Sequence, residues 1–191
     1  MDIILNTQFN NPRLPVAMSP GFRDSFDRDA ATLGLTEDGK PWEQVGSAWS
    51  TTGDGAVTGA GEVFADAMSA DGTLTVKLRT VDVDGDSRGG VAFRVMDRNN
   101  YIRISHNSAT SPILMFYVIK NGSAVVSKST GATLADGDVI SVSGHSTAIV
   151  IQINGSTVFT YDTTDYLTAT KHGLYSHSSN NNEYESIEFK L

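Results

Sequence analysis

From residue 73 onward, apolar and polar positions alternate with a period of two. In 73–80, Leu74, Val76 and Leu78 fall on one side and Thr75, Lys77 and Arg79 on the other, which predicts a strand with one buried face. The same pattern sets Val91, Phe93 and Val95 against Ala92, Arg94 and Met96, and sets Ile102 and Ile104 against Tyr101, Arg103 and Ser105. It returns in Ile149, Ile151 and Ile153, and again in Ile187, Phe189 and Leu191, while 139–142 and the pair Val158 and Tyr161 predict two further strands. Residues 113–119 are nearly all apolar, the pattern of a strand covered on both faces, either centrally in a sheet or at a buried interface. Turn-forming residues separate these segments: Asp71-Gly72, 97–100, Asn121-Gly122, Asp136-Gly137 and Asn154-Gly155. Asn-Gly between strands predicts a two-residue hairpin, because a type I′ turn needs positive φ at both central positions. Helical periodicity is nearly absent. The best candidate, 25–35, is stopped by Gly34 and allows one or two turns at most.

The pattern predicts an all-β chain folded as one two-sheet antiparallel sandwich over 24–191, preceded by an extended arm over 1–23. In the arm Asn6, Asn10, Asn11, Pro12, Pro15 and Pro20 leave little that could pack. The length, 191 residues, suits a single domain with its own core. Cysteine is absent, which removes disulfides, thiolate metal sites and thiol nucleophiles. With 14 Lys+Arg against 22 Asp+Glu, the net charge of −8 argues against an extended nucleic-acid surface. The N-terminus has neither the basic start nor the apolar stretch of a signal peptide, and 113–119 is far too short for membrane insertion, so a soluble protein is expected. Trp42 and Trp49 are expected in the core, and Gly137 and Gly173 at places where only bare backbone fits.

Several motifs, taken in order, carry a family resemblance. They are Asp24-Ser25-Phe26-Asp27-Arg28, Leu33-Gly34, Gly39-Lys40-Pro41-Trp42 and Gly46-Ser47-Ala48-Trp49; then Gly90-Val91-Ala92-Phe93-Arg94-Val95, Asn99-Asn100-Tyr101-Ile102-Arg103, Gly137-Asp138-Val139-Ile140, Ile153-Asn154-Gly155 and Lys171-His172-Gly173-Leu174-Tyr175. This series resembles the concanavalin A-like jelly-roll domains carried by virion proteins of tailed phages. The resemblance implies two packed antiparallel sheets, one of them concave. It also implies a capsid decoration or minor tail protein, assembled in the host cytoplasm and displayed on the virion surface. The arm would then attach the protein to other virion structural proteins, and the sandwich would meet host glycans. A homo-oligomer is expected on a symmetric particle. The alternative is a carbohydrate-binding module of a secreted glycan-active protein.

Catalysis is not expected. Glucanases of this fold carry a Glu-x-Asp-x-x-Glu-like set on one strand, which places two carboxyls close enough to act as nucleophile and acid. The nearest stretch here, 183–188, reads as a solvated strand face, with Glu183 and Glu185 on one side and Glu188 on the other. Asp82, Asp84 and Asp86 could converge on calcium, but Gly85 stands fourth rather than sixth and Phe93 occupies the twelfth position, so a plain acidic turn is the competing reading and no other cofactor is expected. His106, His145, His172 and His177 lack ligand spacing and are expected in loops or on the surface. Asn121-Gly-Ser and Asn154-Gly-Ser are read as turns, not as glycosylation sites.

The remaining constellation is geometric. A loop at 97–100 would set Arg94 opposite Arg103, with Arg94, Tyr101 and Arg103 on one face and Tyr117 joining from the next strand. Like charges directly across a strand pair repel, so either carboxylates pair with them internally or the face takes an anionic or hydroxyl-rich ligand such as a glycan.

Overall fold

The computed structural model describes residues 18–30, 32–46, 49–83, 88–107, 112–177 and 181–191. Among them are fifteen strands and no helix. One sheet runs in the order β13 (Ser156–Asp162), β12 (Ala148–Ile153), β11 (Val139–His145), β6 (Gly72–Thr80), β15 (Glu183–Lys190), β4 (Val57–Thr58) and β3 (Ser50–Thr51), with β1 (Phe22–Asp24) also pairing β15. The second runs β10 (Ser123–Thr133), β9 (Ile113–Lys120), β8 (Asn100–Asn107), β7 (Gly89–Asp97), β14 (Lys171–Ser176), β5 (Gly61–Asp66) and β2 (Glu43–Gly46). All of these pairings are antiparallel, as the alternating pattern and short turns require.

The core lies between the sheets. Leu74, Val76, Ile140, Ile151, Ile187 and Phe189 come from the first sheet, and Val63, Val91, Phe93, Ile104, Phe116 and Leu174 meet them from the second. The apolar run at 113–119 is accounted for by a strand inside the second sheet. Leu114, Phe116 and Val118 enter the core, while Tyr117 and Ile119 join a separate buried cluster with Phe64, Ala92, Val95 and Tyr101. It is therefore the central strand of the two alternatives, and it carries no argument for a second copy of the chain.

Both expected hairpins form. Asn121 and Gly122 take φ of 52° and 77° between paired Lys120 and Ser123, and Asn154 and Gly155 take 51° and 79° between paired Ile153 and Ser156. At 97–100 the loop is tighter than expected: Asp97 pairs with Asn100, leaving a two-residue turn, and Asp97 Oδ1 accepts the Asn99 N–H at 2.7 Å.

Other expectations need correction. No helical turn is present at 25–30 or 32–35, because Phe26 takes φ 55° and its N–H donates to Asp24 Oδ1 at 2.9 Å. Phe22 and Arg23, assigned to the arm, pair with Phe189 and Glu188; residues 1–17 of the arm lie outside the described residues. In β15 a bulge at Glu185 and Ser186 separates buried Tyr184 from buried Ile187, so Glu188 falls on the solvent side with Glu185 instead of opposite it. His106 and His172 are buried in strands, whereas His145 is exposed.

Both tryptophans are in the core. Trp42 packs edge-on against Phe22 at 5.6 Å, and its Nε1–H donates to buried Asp24 Oδ2 at 2.8 Å. Trp42→Phe keeps most of the packing but strands one lone pair of a buried carboxylate; a loss of about 1–2 kcal/mol in urea unfolding is expected, with no change in strand content by circular dichroism. Gly137 meets nothing within 4 Å and is needed for its φ of 81°.

Candidate functional site

The outward face of the second sheet is not the usual solvated surface. On β8, Ile102 and Ile104 point into the core, so Tyr101 and Arg103 point outward. The same alternation turns Tyr117 out from β9, Tyr175 from β14, and Glu62 and Phe64 from β5. Register then groups them: Arg103 lies opposite Tyr117 and Ala92, and Tyr175 lies opposite Glu62 and Gly90.

Small Ala92 and Gly90 leave room beside the Arg103 side chain, and two aromatic rings close on it. Its guanidinium carbon stands 4.3 Å from the Tyr117 centroid and 4.6 Å from that of Tyr175. Nη1 donates to the Tyr175 hydroxyl at 3.1 Å. Two rings and one hydrogen bond thus hold the guanidinium, an arrangement that fixes a planar cation more firmly than a single ring does.

Tyr101 on β8 and Glu62 on β5 meet over the two strands between them: the Tyr101 hydroxyl donates to Glu62 Oε1 at 2.6 Å, closing one side of a hollow on this face. Burial, and next the Glu62 carboxylate, raise the Tyr101 pKa far above the ordinary tyrosine value; burial also raises that of Tyr175. Both hydroxyls stay neutral donors at any physiological pH.

This hollow is a cavity of about 410 Å³, with Glu62, Tyr101, Arg103 and Tyr175 joined by Arg98 and Asn99 of the β7–β8 turn. A second hollow, about 270 Å³, adjoins it across Glu62 and Tyr175 and reaches Ser176 and His177. A larger one, about 720 Å³, lies between 18–23, the 38–40 turn and β15, and holds none of the aromatic–guanidinium stack.

Arg94 is not part of this face. Its φ is 48°, and the β7–β8 register slips between Phe93 and Asp97. This bulge swings Arg94 inward, fully buried, and turns Val95 out into the cluster of Ala92 and Tyr101. Arg94 Nη2 donates to Asp71 Oδ1 at 2.7 Å and to the Ser146 carbonyl at 2.8 Å, and Nε donates to the Ala70 carbonyl at 3.1 Å. Repulsion between Arg94 and Arg103 never arises, since Ala92 is the residue opposite Arg103. Arg94 is paired with a carboxylate, whereas Arg103 has none in salt-bridge contact among the described residues. Of the expected ligand face, the structure brings together Tyr101, Arg103 and Tyr117.

Glu62, Tyr175 and Arg98 complete the group and were not singled out in the sequence. Tyr175 follows core-facing Leu174, which is a readable signal; Glu62 has none, because its placement depends on β5–β14 pairing. The calcium reading falls mostly outside the described residues, which exclude Asp84 and Asp86. Asp82 is engaged: Oδ2 accepts the Asn181 N–H at 2.8 Å, and its own N–H donates to Asn182 Oδ1 at 3.0 Å. Among the described residues no three His, Asp or Glu side chains converge as metal ligands. Glu185 and Glu188 pair with Lys77 and Lys190, both at 2.7 Å, on the other sheet. Among the described residues lining the 410 Å³ cavity, Glu62 is the one carboxylate.

No family model matches the sequence, and no curated protein sequence does. Solved structures do match. A carbohydrate-binding module, CBM66, from Bacillus subtilis aligns with TM-score 0.51 at 15% identity, covering 78% of this chain and 90% of that one. A Bacillus licheniformis β-glucanase aligns with TM-score 0.63 at 12% identity, covering 91% and 99%. The Caenorhabditis elegans galectin LEC-6 aligns with TM-score 0.55 at 10% identity, covering 70% and 92%. At these identities the likeness establishes the fold, a concanavalin A-like jelly-roll sandwich, and leaves function to the residues.

Proposed function

We propose that the protein is a carbohydrate-binding module that takes an oligosaccharide in the hollow on the outward face of its second sheet and does not cleave it. The observation that carries this reading is Arg103, held by Tyr117 and Tyr175 beside this cavity and, among the described residues, without a carboxylate in salt-bridge contact. The two rings steady the cation, and a hydroxyl-rich ligand supplies acceptors for N–H groups that no described side chain takes. A volume of about 410 Å³ lies within the range of roughly 300–1,000 Å³ usual for ligand sites. The adjoining hollow across Tyr175 extends the groove for a chain longer than one ring. Two of the similar structures are named as a carbohydrate-binding module and a galectin, which favours a module over a particle-bound protein. Fold and neighbours offer no support for the virion setting, the attachment role of the arm or a homo-oligomer.

The binding reading over an enzymatic one rests on charge. Glycoside hydrolysis ordinarily needs two carboxyls flanking the scissile bond. Glu62 already accepts the Tyr101 hydroxyl, and no second described acid lines the cavity.

The test is an oligosaccharide array followed by calorimetry. The wild-type protein is expected to bind at least one glycan class without releasing reducing ends. Tyr117→Ala, which strips one ring from Arg103, is expected to weaken that binding about tenfold or more, about 1.4 kcal/mol, when measured well below its melting transition, which itself drops because Tyr117 also packs in the buried cluster. A variant that binds as the wild type does removes this hollow from the reading; steady release of reducing ends overturns the non-catalytic part.

A further inference from the structure

We infer that the sugar unit seated against Arg103 carries a carboxylate, so that the ligand is an acidic, uronate-type saccharide rather than a neutral one. This rests on the carbohydrate-binding reading above and specifies the ligand of that site.

Four other arginines have carboxylate partners. Arg23, Arg28, Arg79 and Arg94 each stand within 3.2 Å of a carboxylate oxygen, from Glu37, Asp24, Asp54 and Asp71 respectively. In an acidic chain with 22 Asp+Glu such partners are plentiful. Arg103 has none among the described residues. Its hydrogen bonding is one contact from Nη1 to a neutral phenol, and its Nε is buried without a partner.

The geometry also limits how a ligand reaches the group. Tyr117 and Tyr175 crowd the guanidinium, with ring centres 4.3 and 4.6 Å from its carbon, and Nη1 already donates to the Tyr175 hydroxyl. With Nε buried, what is left for a ligand is the Nη end, which offers donors alone and in a spacing that matches the two oxygens of a carboxylate. Because the flanking rings hold the group still, little side-chain freedom remains to be lost on binding.

The surroundings reinforce the sign. Arg98, exposed on the β7–β8 turn, lines the same cavity and adds a second cation. The opposing charge, Glu62, is turned to the Tyr101 hydroxyl, which caps one of its oxygens. The cavity therefore presents two cations against one carboxylate that is already hydrogen-bonded, on a protein whose net charge is −8. A neutral glycan would satisfy hydrogen bonds but leave this local excess of positive charge uncompensated.

The experiment titrates the full chain with oligosaccharides of galacturonate, glucuronate and mannuronate, each beside its carboxyl-reduced neutral counterpart of the same length. At least one acid form is expected to bind about tenfold or more tightly than its reduced partner. That preference should shrink as salt rises from low to physiological strength, and Arg103→Gln should abolish it. Arg98→Gln should reduce it in part, and serves as the second variant if Arg103→Gln melts early. Equal affinity for acid and reduced forms overturns the acidic-ligand inference while leaving the carbohydrate-binding reading intact. Failure of every acidic and neutral glycan to bind overturns both.

Discussion

Gly173→Ala is expected to lower the melting temperature by about 10 °C and to broaden the transition. The reason is space. A Cβ placed on Gly173 would stand 1.9 Å from the Val63 carbonyl oxygen and 2.6 Å from the Phe64 Cα, both backbone atoms that cannot swing aside. Gly173 pairs with Phe64 on β5 and with Ala92 on β7, inside the sheet. The added methyl must push β14 from β5 or break the register. Overpacking of a tight interior costs roughly 1–3 kcal/mol and more where backbone must move, so about 3 kcal/mol is expected. For a chain of this size 1 kcal/mol shifts the melting temperature by roughly 2–4 °C. Because β14 carries Tyr175 and β5 carries Glu62, the variant should also lose glycan binding. Calorimetric melting of the two proteins side by side is the check; coincident transitions would mean that β14 and β5 do not approach as closely as described.

The second large effect is on acid stability, through His172. This side chain is completely buried, stacked on Phe189 at 4.2 Å and against Phe93 at 4.5 Å. Its Nδ1 accepts the Arg94 backbone N–H at 3.2 Å, which leaves Nε2–H to donate to the Ser69 carbonyl at 3.0 Å. The neutral ring is fully satisfied. A proton on Nδ1 would face a donor in a desolvated site, and burial pushes the His172 pKa down to about 3.

In the unfolded chain the same group titrates near 6.5. Between these values the unfolded state holds more protons than the folded one, so stability is complete above about pH 6.5 and falls as pH drops toward 3. The full span is worth roughly 3–5 kcal/mol. His106, whose pKa burial also lowers, adds to the loss in the same direction. Ordinary carboxylates stay ionised above about pH 5, so the interval from 6.5 to 5 reports mainly on the histidines. The urea midpoint of the wild type is expected to fall across that interval, and that of His172→Gln to fall much less. Parallel pH curves for the two proteins would refute this account of His172.

The sequence was most readable where one face of a strand is apolar and the other polar. β6, β11 and β12 meet that condition, with Leu74, Val76, Ile140, Val142, Ile149 and Ile151 all in the core. The hairpin turns were readable because Asn-Gly has a backbone reason to be there. Short or two-sided segments were harder. β10 is a long edge strand of mostly exposed Ser, Thr, Ala and Lys, and nothing in its composition demands pairing. β5 buries Val63 and Ala65 on one side and Phe64 on the other, which erases the alternation.

The candidate site divides along the same line. Tyr101, Arg103 and Tyr117 follow from an undisturbed period of two on β8 and β9, and they meet. Arg94 lies in the stretch where the register slips, four residues of β7 running against two of β8, and there the alternation of the preceding residues no longer tells which way a side chain points. Nothing local in Phe93-Arg94-Val95 announces that slip, and the carboxylate that the inward guanidinium meets, Asp71, is more than twenty positions away. The meeting of Glu62 and Tyr101 depends on the order β8-β7-β14-β5, which no short window of sequence contains.

One pairing has a consequence for how the chain comes into being. β6 lies between β11 and β15, and its Leu74 and Val76 sit opposite Phe189 and Ile187, roughly a hundred residues further along. During synthesis β6 emerges early with one hydrogen-bonding edge open, and it stays open until the final strand of the sandwich leaves the ribosome. Closure over so long a loop is slow, and an unsatisfied apolar edge can meanwhile recruit a neighbouring nascent chain. Yield of native protein should therefore depend more on expression temperature and chaperone supply than on the stability of the finished fold.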